Sequence, residues 1–433
     1  MALLEALLRE FRADADTPLA PLRERALAHA RLRGLPTPRD EDWKYTDLGA
    51  LTLAPPAVAT TPGLDIGDIP FIDGAALRIV FVNGRFAPSL SALDALPAGL
   101  RVRALSAVLH EEPAALTTVF ERCAADDAPV FDALNVALMQ DGALIEVAAD
   151  CAIAAPIVVA FIHAGAAHRG HTAPQLLVRA GERSRLVVVE CHHGRDGAAN
   201  LSNALTDIDV AANAQLTHYR LADEAPDANH IGSVRLRAGA DSQVTSYSFA
   251  FGGKLTRMEI HAALAAPGAT VTLNGLFVAG TGQHIDHQTF IDHQAPHTTS
   301  EELYKGLADG DGRGVFRGKV LVRAGAQKIS AKQASHNLLL SPTAEIDTKP
   351  ELEIYADDVA CAHGATVGQI DRDAVFYLQS RGIPVDEARA LLTFGFAQAV
   401  VEQVEFAPLR AWLTSALAGR ADVPLPTLVE ETT

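Results

Sequence analysis

Cysteine, aromatic residues and long apolar runs are all scarce in this 433-residue sequence. Its four cysteines form no CxxC or CxxH pair, which disfavours both a disulfide framework and a self-contained zinc site. The apolar runs are too short to span a bilayer, and residues 1–20 carry charges where a secretory signal needs an uncharged core. These absences predict a protein of the reducing cytoplasm, without a membrane anchor.

Positive charge is scarce too, with 36 Lys and Arg against 53 Asp and Glu and a net charge of −17. This balance argues against nucleic acid or an anionic membrane as the main partner. The sequence has no GxxxxGK[ST] phosphate loop, no GxSxG elbow and no HExxH motif, so we expect that the chain does not itself hydrolyse ATP. Hydrophobic residues make up 48 %, which indicates a folded protein with a large core.

Between about residues 141 and 370, short Val-, Leu- and Ile-rich runs recur at nearly regular intervals. Turn-forming or polar residues separate them every 26 to 32 positions, at Asp150, Gly181, Asn213, Gly239, Gly268, His297, Gly325 and Asp357. Strand-like segments with such a period predict a stacked solenoid, and Gly or Asn permits left-handed backbone at its corners. We therefore predict a mainly β protein whose core, residues 141–370, is a parallel β-helix, right-handed by the crossover preference.

Helical patterns are predicted on both sides of this core. Residues 1–50 form an amino-terminal helical region, residues 51–140 a mixed connecting region with an irregular stretch at 51–75, and residues 371–433 a carboxy-terminal helical region. The two open ends of a β-helix would recruit other strands, so both helical regions are candidate caps. The middle carboxy-terminal helix is apolar enough to need the body or a partner to cover it. We interpret Trp43 as a hydrophobic anchor.

Cys361 and His363 are the candidate site residues. On a strand, their spacing of two places thiol and imidazole on one face, a pairing suited to a metal or cluster. Two ligands are too few for a zinc site. Either residues distant in sequence or another chain complete the site, or Cys361 is a small buried residue beside a surface histidine.

Two other segments of the sequence contain potential metal ligands. Segment 284–297, HIDHQTFIDHQAPH, is the densest in imidazole and carboxylate, which suit iron, zinc or manganese. His284 and His287 would face opposite sides of a strand, so a polar outer face is favoured and metal binding there is left open. A second segment is Cys191-His192-His193. Adjacent residues on a strand point to opposite sides, so we interpret these three as a mixture of core and surface residues and not as a ligand set.

The longer string around Cys361 resembles SufD-type members of the SufB/SufD family of iron–sulfur cluster assembly proteins. The matching stretches are Ser335-His336-Asn337, Ala344–Leu352, Ala356–Val359, Cys361-x-His363-Gly364-Ala365-Thr366 and Phe376–Ile383. The Cys-x-His-Gly-Ala-Thr wording is similar to SufD and differs from the Glu-His-Glu-Ala-Thr type typical of the paralogue SufB. Trp43-Lys44-Tyr45-Thr46 also resembles the family's amino-terminal signature.

The resemblance implies a β-helix and a non-catalytic scaffold subunit of the SufBCD complex. Such a subunit pairs with SufB through its β-helix, binds the ATPase SufC through its carboxy-terminal helices, and helps iron enter a nascent Fe–S cluster at the SufB–SufD interface. We predict His363 as an iron ligand across that interface and Cys361 as its sulfur-side partner or neighbour. If Asp357 and Asp358 lie close to the thiol, they would attract a cation and raise the pKa of the thiol. Without SufB, the same surface is predicted to form a homodimer.

The sequence has two alternative interpretations. One is a β-helix enzyme acting on acidic polysaccharides, which is disfavoured because such enzymes are usually exported and nothing in the sequence directs export. The other is SufB itself, which the Cys-x-His-Gly-Ala-Thr wording disfavours.

Overall fold

The computed structural model describes residues 2–11, 17–49, 51, 64–72, 75–165, 170–194 and 197–421. These residues form a mainly β protein, a solenoid of about seven turns flanked by helices, which confirms the predicted fold class. Most of the irregular stretch predicted at 51–75, and residues 422–433 of the predicted carboxy-terminal region, lie outside the described residues.

The strands form two sheets, and from β7 onward successive strands alternate between them, so that each turn contributes one strand to each sheet. Sheet A contains β1 (Leu77–Val82), β2 (Arg85–Phe86), β5 (Ile157–His163), β8 (Arg185–Gly194), β10 (Gln215–Asp223), β12 (Gln243–Ala250), β14 (Thr270–Ala279), β16 (Thr299–Ala308), β18 (Ile329–Leu339) and β20 (Val359–Gln369). Sheet B contains β3 (Leu100–Ala104), β4 (Gly142–Val147), β6 (His171–Thr172), β7 (Gln175–Ala180), β9 (Leu201–Val210), β11 (Asn229–Ala238), β13 (Leu255–Leu264), β15 (His284–His293), β17 (Arg313–Val322) and β19 (Glu345–Ile354).

All neighbouring strands pair in parallel except at the amino-terminal end, where β2 and β3 are antiparallel to their neighbours. The helices are α1 (Ala2–Glu10), α2 (Ala20–Arg33), α3 (Leu105–Glu111), α4 (Thr117–Cys123), α5 (Val130–Leu138), α6 (Arg372–Ser380), α7 (Val385–Val401) and α8 (Ala407–Ala421). Short 3-10 helices span Glu41–Trp43, Ile66–Asp68, Pro88–Leu90 and Pro113–Leu116. No helix within the described ranges is long and apolar enough to cross a bilayer.

Corners with left-handed backbone repeat once per turn. The residues with positive φ at these corners are Asp150, Arg183, Asn213, Asp241, Gly268, His297 and Lys328. The predicted corners at Asp150, Asn213, Gly268 and His297 are therefore confirmed, whereas Gly181, Gly239 and Gly325 precede the left-handed residue by two or three positions. Glycine is needed at Gly181 for close packing between turns, because a Cβ there would lie 2.6 Å from the Val147 carbonyl oxygen of the preceding turn.

The main core fills the interior between the two sheets, with large side chains such as Phe277 and Phe316. Two further apolar layers lie outside it. The amino-terminal helices pack on the outer face of sheet B, where Leu134 of α5 joins Leu205 of β9. Helices α7 and α8 pack on the outer face of sheet A, where Val400 joins Leu276 of β14. The prediction that these helices cap the ends of the solenoid is therefore wrong, because they cover its sides.

Candidate functional site

The last turn of the solenoid ends in an open strand edge. Strand β20 pairs with β18 along one edge, and in the described part of the chain no strand pairs with its other edge. Its side chains from Ala362 to Gln369 are exposed on both faces. A free edge of eleven residues presents unpaired N–H and C=O groups, which makes it a template for another strand.

Both predicted site residues lie on this strand. Cys361 aligns with Ala331 of β18, and His363 aligns with Gln333. Cys361 is half-buried and packs against the interior core, whereas His363 is exposed. The strand repeat puts them on the same face, about 6.6 Å apart along the strand. Their role as ligands stays a prediction.

Burial raises the pKa of the Cys361 thiol, and a hydrogen bond with the Ala331 backbone offsets part of this increase. Asp357 and Asp358 are exposed, and the pKa of the thiol is raised by burial and not by their charge, so the condition on which their effect depended is not met. The thiol is therefore protonated near neutral pH, and a metal that binds it must displace the proton.

Polar side chains aligned with His363 continue into the two preceding turns of the solenoid, at Gln333 of β18 and Glu302 of β16. The sequence analysis did not predict this row. Gln333 aligns with Glu302 of β16, and Gln333 Nε2 donates to Glu302 Oε2 at 2.6 Å. Both side chains are buried, and burial raises the pKa of Glu302 to about 7. The signal was available in the alternation of β16, which places Glu302 on the same inward face as Tyr304.

The end of sheet B is better covered than the end of sheet A. Lys349 on the outer face of β19 pairs with Glu41 of the amino-terminal segment, and Arg317 of β17 pairs with Asp42. Pro350 within β19 removes one backbone donor, as is typical of edge strands. The open edge of the last turn is therefore chiefly that of β20.

The ligand-rich segment 284–297 does not converge on one site. His284 bonds to Thr46 on the outside, while His287 is buried in the interior against Phe277 and Tyr304. Opposite orientation of His284 and His287 is thus confirmed. The interpretation as a polar outer face holds for His284 but is wrong for His287 and His293, which are buried.

Aromatic side chains mark both terminal regions, with one ring packed against the body in the amino-terminal segment and two exposed rings on α6. Trp43 stacks on Phe131 with ring centroids 5.5 Å apart, and the Arg257 guanidinium lies 3.8 Å from its ring, so Trp43 anchors its segment as expected. Helix α6, which follows β20 directly, leaves Phe376 71 % and Tyr377 57 % exposed.

Sequence comparison connects this geometry to known proteins. A family profile described as "SUF system FeS cluster assembly, SufBD core domain" matches residues 161–396, and one described as "SufBD protein N-terminal region" matches residues 68–159. The chain is 32 % identical to the iron–sulfur cluster assembly protein SufD of Escherichia coli, over 89 % of each chain.

Two further relatives extend the comparison. An iron–sulfur cluster assembly SufBD family protein of Synechocystis is 30 % identical over 89 % of this chain and 87 % of its own length. The chloroplastic protein ABCI7 of Arabidopsis thaliana is 33 % identical over 53 % of this chain and 49 % of its own length.

Proposed function

Because the chain belongs to the SufBD family of iron–sulfur cluster assembly proteins, we propose that it is a non-catalytic scaffold subunit of a SufBCD complex. In this proposal the last turn of its solenoid pairs with SufB. Cys361 and His363 supply one half of a pocket in which iron joins a nascent Fe–S cluster. ATP hydrolysis by SufC, bound at the carboxy-terminal helices, rearranges that interface.

The observation that carries the proposal is the open edge of β20 with Cys361 and His363 on it. A partner strand that pairs with this edge would bring its own side chains next to both residues. Two ligands are insufficient for a stable iron site, and a partner that supplies the others explains why the set in this chain is incomplete. Thiolate and imidazole both bind iron, so their chemistry fits this cargo.

Iron content measures the role of His363. We expect that His363→Ala, co-expressed with SufB and SufC, still assembles into the complex but copurifies with less iron. The matched control is His336→Ala on the neighbouring strand β18, where His336 bonds Thr366 at 3.1 Å and stays half-buried. Unchanged iron in the His363 variant would remove this residue from the pocket, and a chain that elutes alone would remove the scaffold function.

We place SufC at α6 and the adjacent part of α7. Phe376 and Tyr377 of α6 are exposed apolar rings, and Leu391 of α7 is 37 % exposed. The opposite side of α7 is occupied by the outer face of sheet A, so deletion of these helices would uncover a buried layer and could not test docking alone. The double variant Phe376→Ala and Tyr377→Ala should weaken copurification of SufC and leave SufB bound.

A matched control for this surface is Leu32→Ala. Leu32 is 89 % exposed and belongs to α2, on the side of the molecule covered by the amino-terminal helices. Equal loss of SufC in the Leu32 variant would mean that exposed apolar area in general, and not α6, holds SufC.

When SufB is absent, the same edge of β20 is proposed to pair with a second copy of the chain. Sedimentation analysis of the chain alone should give a dimer that dissociates when SufB is added, and a monomer at all concentrations would refute self-pairing.

We place the complex in the reducing cytoplasm, in keeping with four cysteines that are all free thiols.

A further inference from the structure

Three buried side chains converge inside the early turns of the solenoid, away from β20. His192 lies on β8, Glu224 follows β10 directly, and His230 lies on β11. One ligand atom from each lies within 4.8 Å of the other two. Strand β8 is six strand positions from β20 in sheet A, about 29 Å at the usual strand spacing. The cluster is therefore separate from the candidate site.

Three potential ligand atoms of this cluster lack a hydrogen bond. His192 Nδ1, His230 Nδ1 and Glu224 Oε1 are buried and have no hydrogen-bond partner within the described ranges. His230 Nδ1 and Glu224 Oε1 are 3.4 Å apart. These two atoms face each other in an ion-pair contact that is too poorly aligned for a hydrogen bond, whereas His192 Nδ1 has no such contact in the described part of the chain. Poor satisfaction of buried polar atoms is costly, and the convergence of these three around one point indicates a shared ligand. We propose that His192, Glu224 and His230 bind a divalent first-row transition-metal ion.

The surrounding groups are those that orient metal ligands. His192 Nε2 donates to Glu190 Oε1 at 2.6 Å, and this carboxylate also accepts from Thr206 at 2.8 Å. His163 Nδ1 lies 3.1 Å from Glu224 Oε2. A histidine that binds a metal commonly donates its other N–H to a carboxylate, which fixes the tautomer and leaves the free nitrogen for the ion.

Both histidines of the cluster are in the form that binds a metal ion. A Cβ at Gly232 would lie 2.0 Å from Arg220 Nη2 and 2.6 Å from His230 Nε2, so glycine makes room for the Arg220 guanidinium beside the His230 ring. Burial lowers the pKa of both His192 and His230, so both imidazoles are neutral at pH 7, the form that binds metals. Two imidazoles and a carboxylate suit Fe²⁺, Zn²⁺ or Co²⁺.

Arg220 is the contact that must change when a metal binds. Its Nη2 donates to His230 Nε2 at 3.2 Å, so the proton of His230 is on Nδ1 and faces Glu224. Binding at Nδ1 shifts this proton to Nε2, and the guanidinium turns toward Glu190, whose Oε1 is already 3.4 Å from Arg220 Nε. The carboxylates of Glu190 and Glu224 outnumber this one guanidinium, so the local charge still favours a cation.

Cobalt binding tests the proposal independently of the proposed function. The full chain carries His363→Ala and Cys361→Ser to remove the candidate site at β20, and it is refolded with CoCl₂ because the cluster is closed to solvent. We expect one equivalent of Co²⁺ after gel filtration. Its visible d–d absorption should lack a thiolate charge-transfer band. A refolded chain that retains no Co²⁺ would overturn the proposal.

Matched variants in the same background assign the ligands. Glu224→Gln and His192→Gln should each weaken Co²⁺ binding at least tenfold, and Glu190→Gln should weaken it about 10- to 100-fold while both histidines remain. The control is His287→Gln, which alters a buried histidine in a later turn, about as hidden as His192. If Glu224→Gln binds as the parent does, or if the control loses as much Co²⁺ as Glu224→Gln, the assignment is wrong.

Discussion

Replacement of Glu302 by glutamine should stabilise the protein, and the gain should grow with pH. Glu302 is buried, and its Oε1 has no hydrogen-bond partner among the described residues. Burial raises the pKa of the carboxyl from 4.5 to about 7 in the folded protein. The folded state therefore holds the proton more tightly than the unfolded state. The stability that this preference supplies is complete below pH 4.5 and is lost as the pH rises through 7.

The size of the effect follows from the two pKa values. A pKa increase from 4.5 to about 7 makes the ionised carboxyl cost about 3 kcal/mol of folding free energy at pH 8, and less than about 1 kcal/mol at pH 5. The amide of Glu302→Gln has nearly the same shape, stays neutral, and keeps an oxygen that accepts from Gln333. The variant should therefore exceed the wild type by about 3 kcal/mol at pH 8 and approach it at pH 5.

Urea unfolding at pH 5, 6, 7 and 8 measures this difference, with the free energy of unfolding taken from the midpoint and slope. The control is Glu301→Gln on the neighbouring position, because the Glu301 side chain is exposed. It should change stability little at any pH. If the free energies of unfolding of the wild type and Glu302→Gln differ by the same amount at pH 5 and pH 8, the conclusion that burial raises the pKa of Glu302 is refuted.

Three further outcomes are expected. Phe277→Ala removes a ring that packs against the backbone at Gly306, and it should lower the free energy of unfolding by about 3–5 kcal/mol. A loss below about 1 kcal/mol in urea unfolding would contradict this packing. Trp43→Ala removes the stack on Phe131, so trypsin should cleave the chain within residues 34–49 faster than in the wild type. Equal cleavage rates would mean that Trp43 does not anchor this segment. The amount of iron bound by the complex with SufB should rise from pH 7 to pH 9, because iron must displace the proton of the Cys361 thiol, and burial raises the pKa of this thiol. Cys361→Ser should abolish this pH dependence. If the dependence persists in that variant, Cys361 is not its source.

The period of the sequence predicted much of the solenoid, because each turn must end at a corner that tolerates left-handed backbone. Asp150, Asn213 and Gly268 carry that signal directly. Arg183 and Lys328 do not, since neither residue type favours positive φ, and the sequence instead drew attention to nearby glycines. The face shared by Cys361 and His363 was predictable because alternation along one strand is local.

What the sequence did not reveal depends on contacts between turns. The cluster combines His192 of β8, Glu224 just after β10 and His230 of β11, and nothing in their local spacing indicates that they meet. The covering of sheet A by α7 and α8 had a detectable signal. Val187–Val189 and Phe249–Phe251 are apolar runs without alternation, which is typical of strands that are buried on both faces.

The antiparallel strands β2 and β3 at the amino-terminal end limit how copies of this chain can associate. Strand β2 is only two residues long, and β3 carries Arg101 and Arg103 in ion pairs with Glu112 and Glu146, so neither offers a long bare edge. Among the described residues, the two short strands do not match the eleven-residue edge of β20, which disfavours head-to-tail stacking into a filament. The proposed contact through β20 would be tail-to-tail and would close on itself by a two-fold axis, so growth would stop at two subunits.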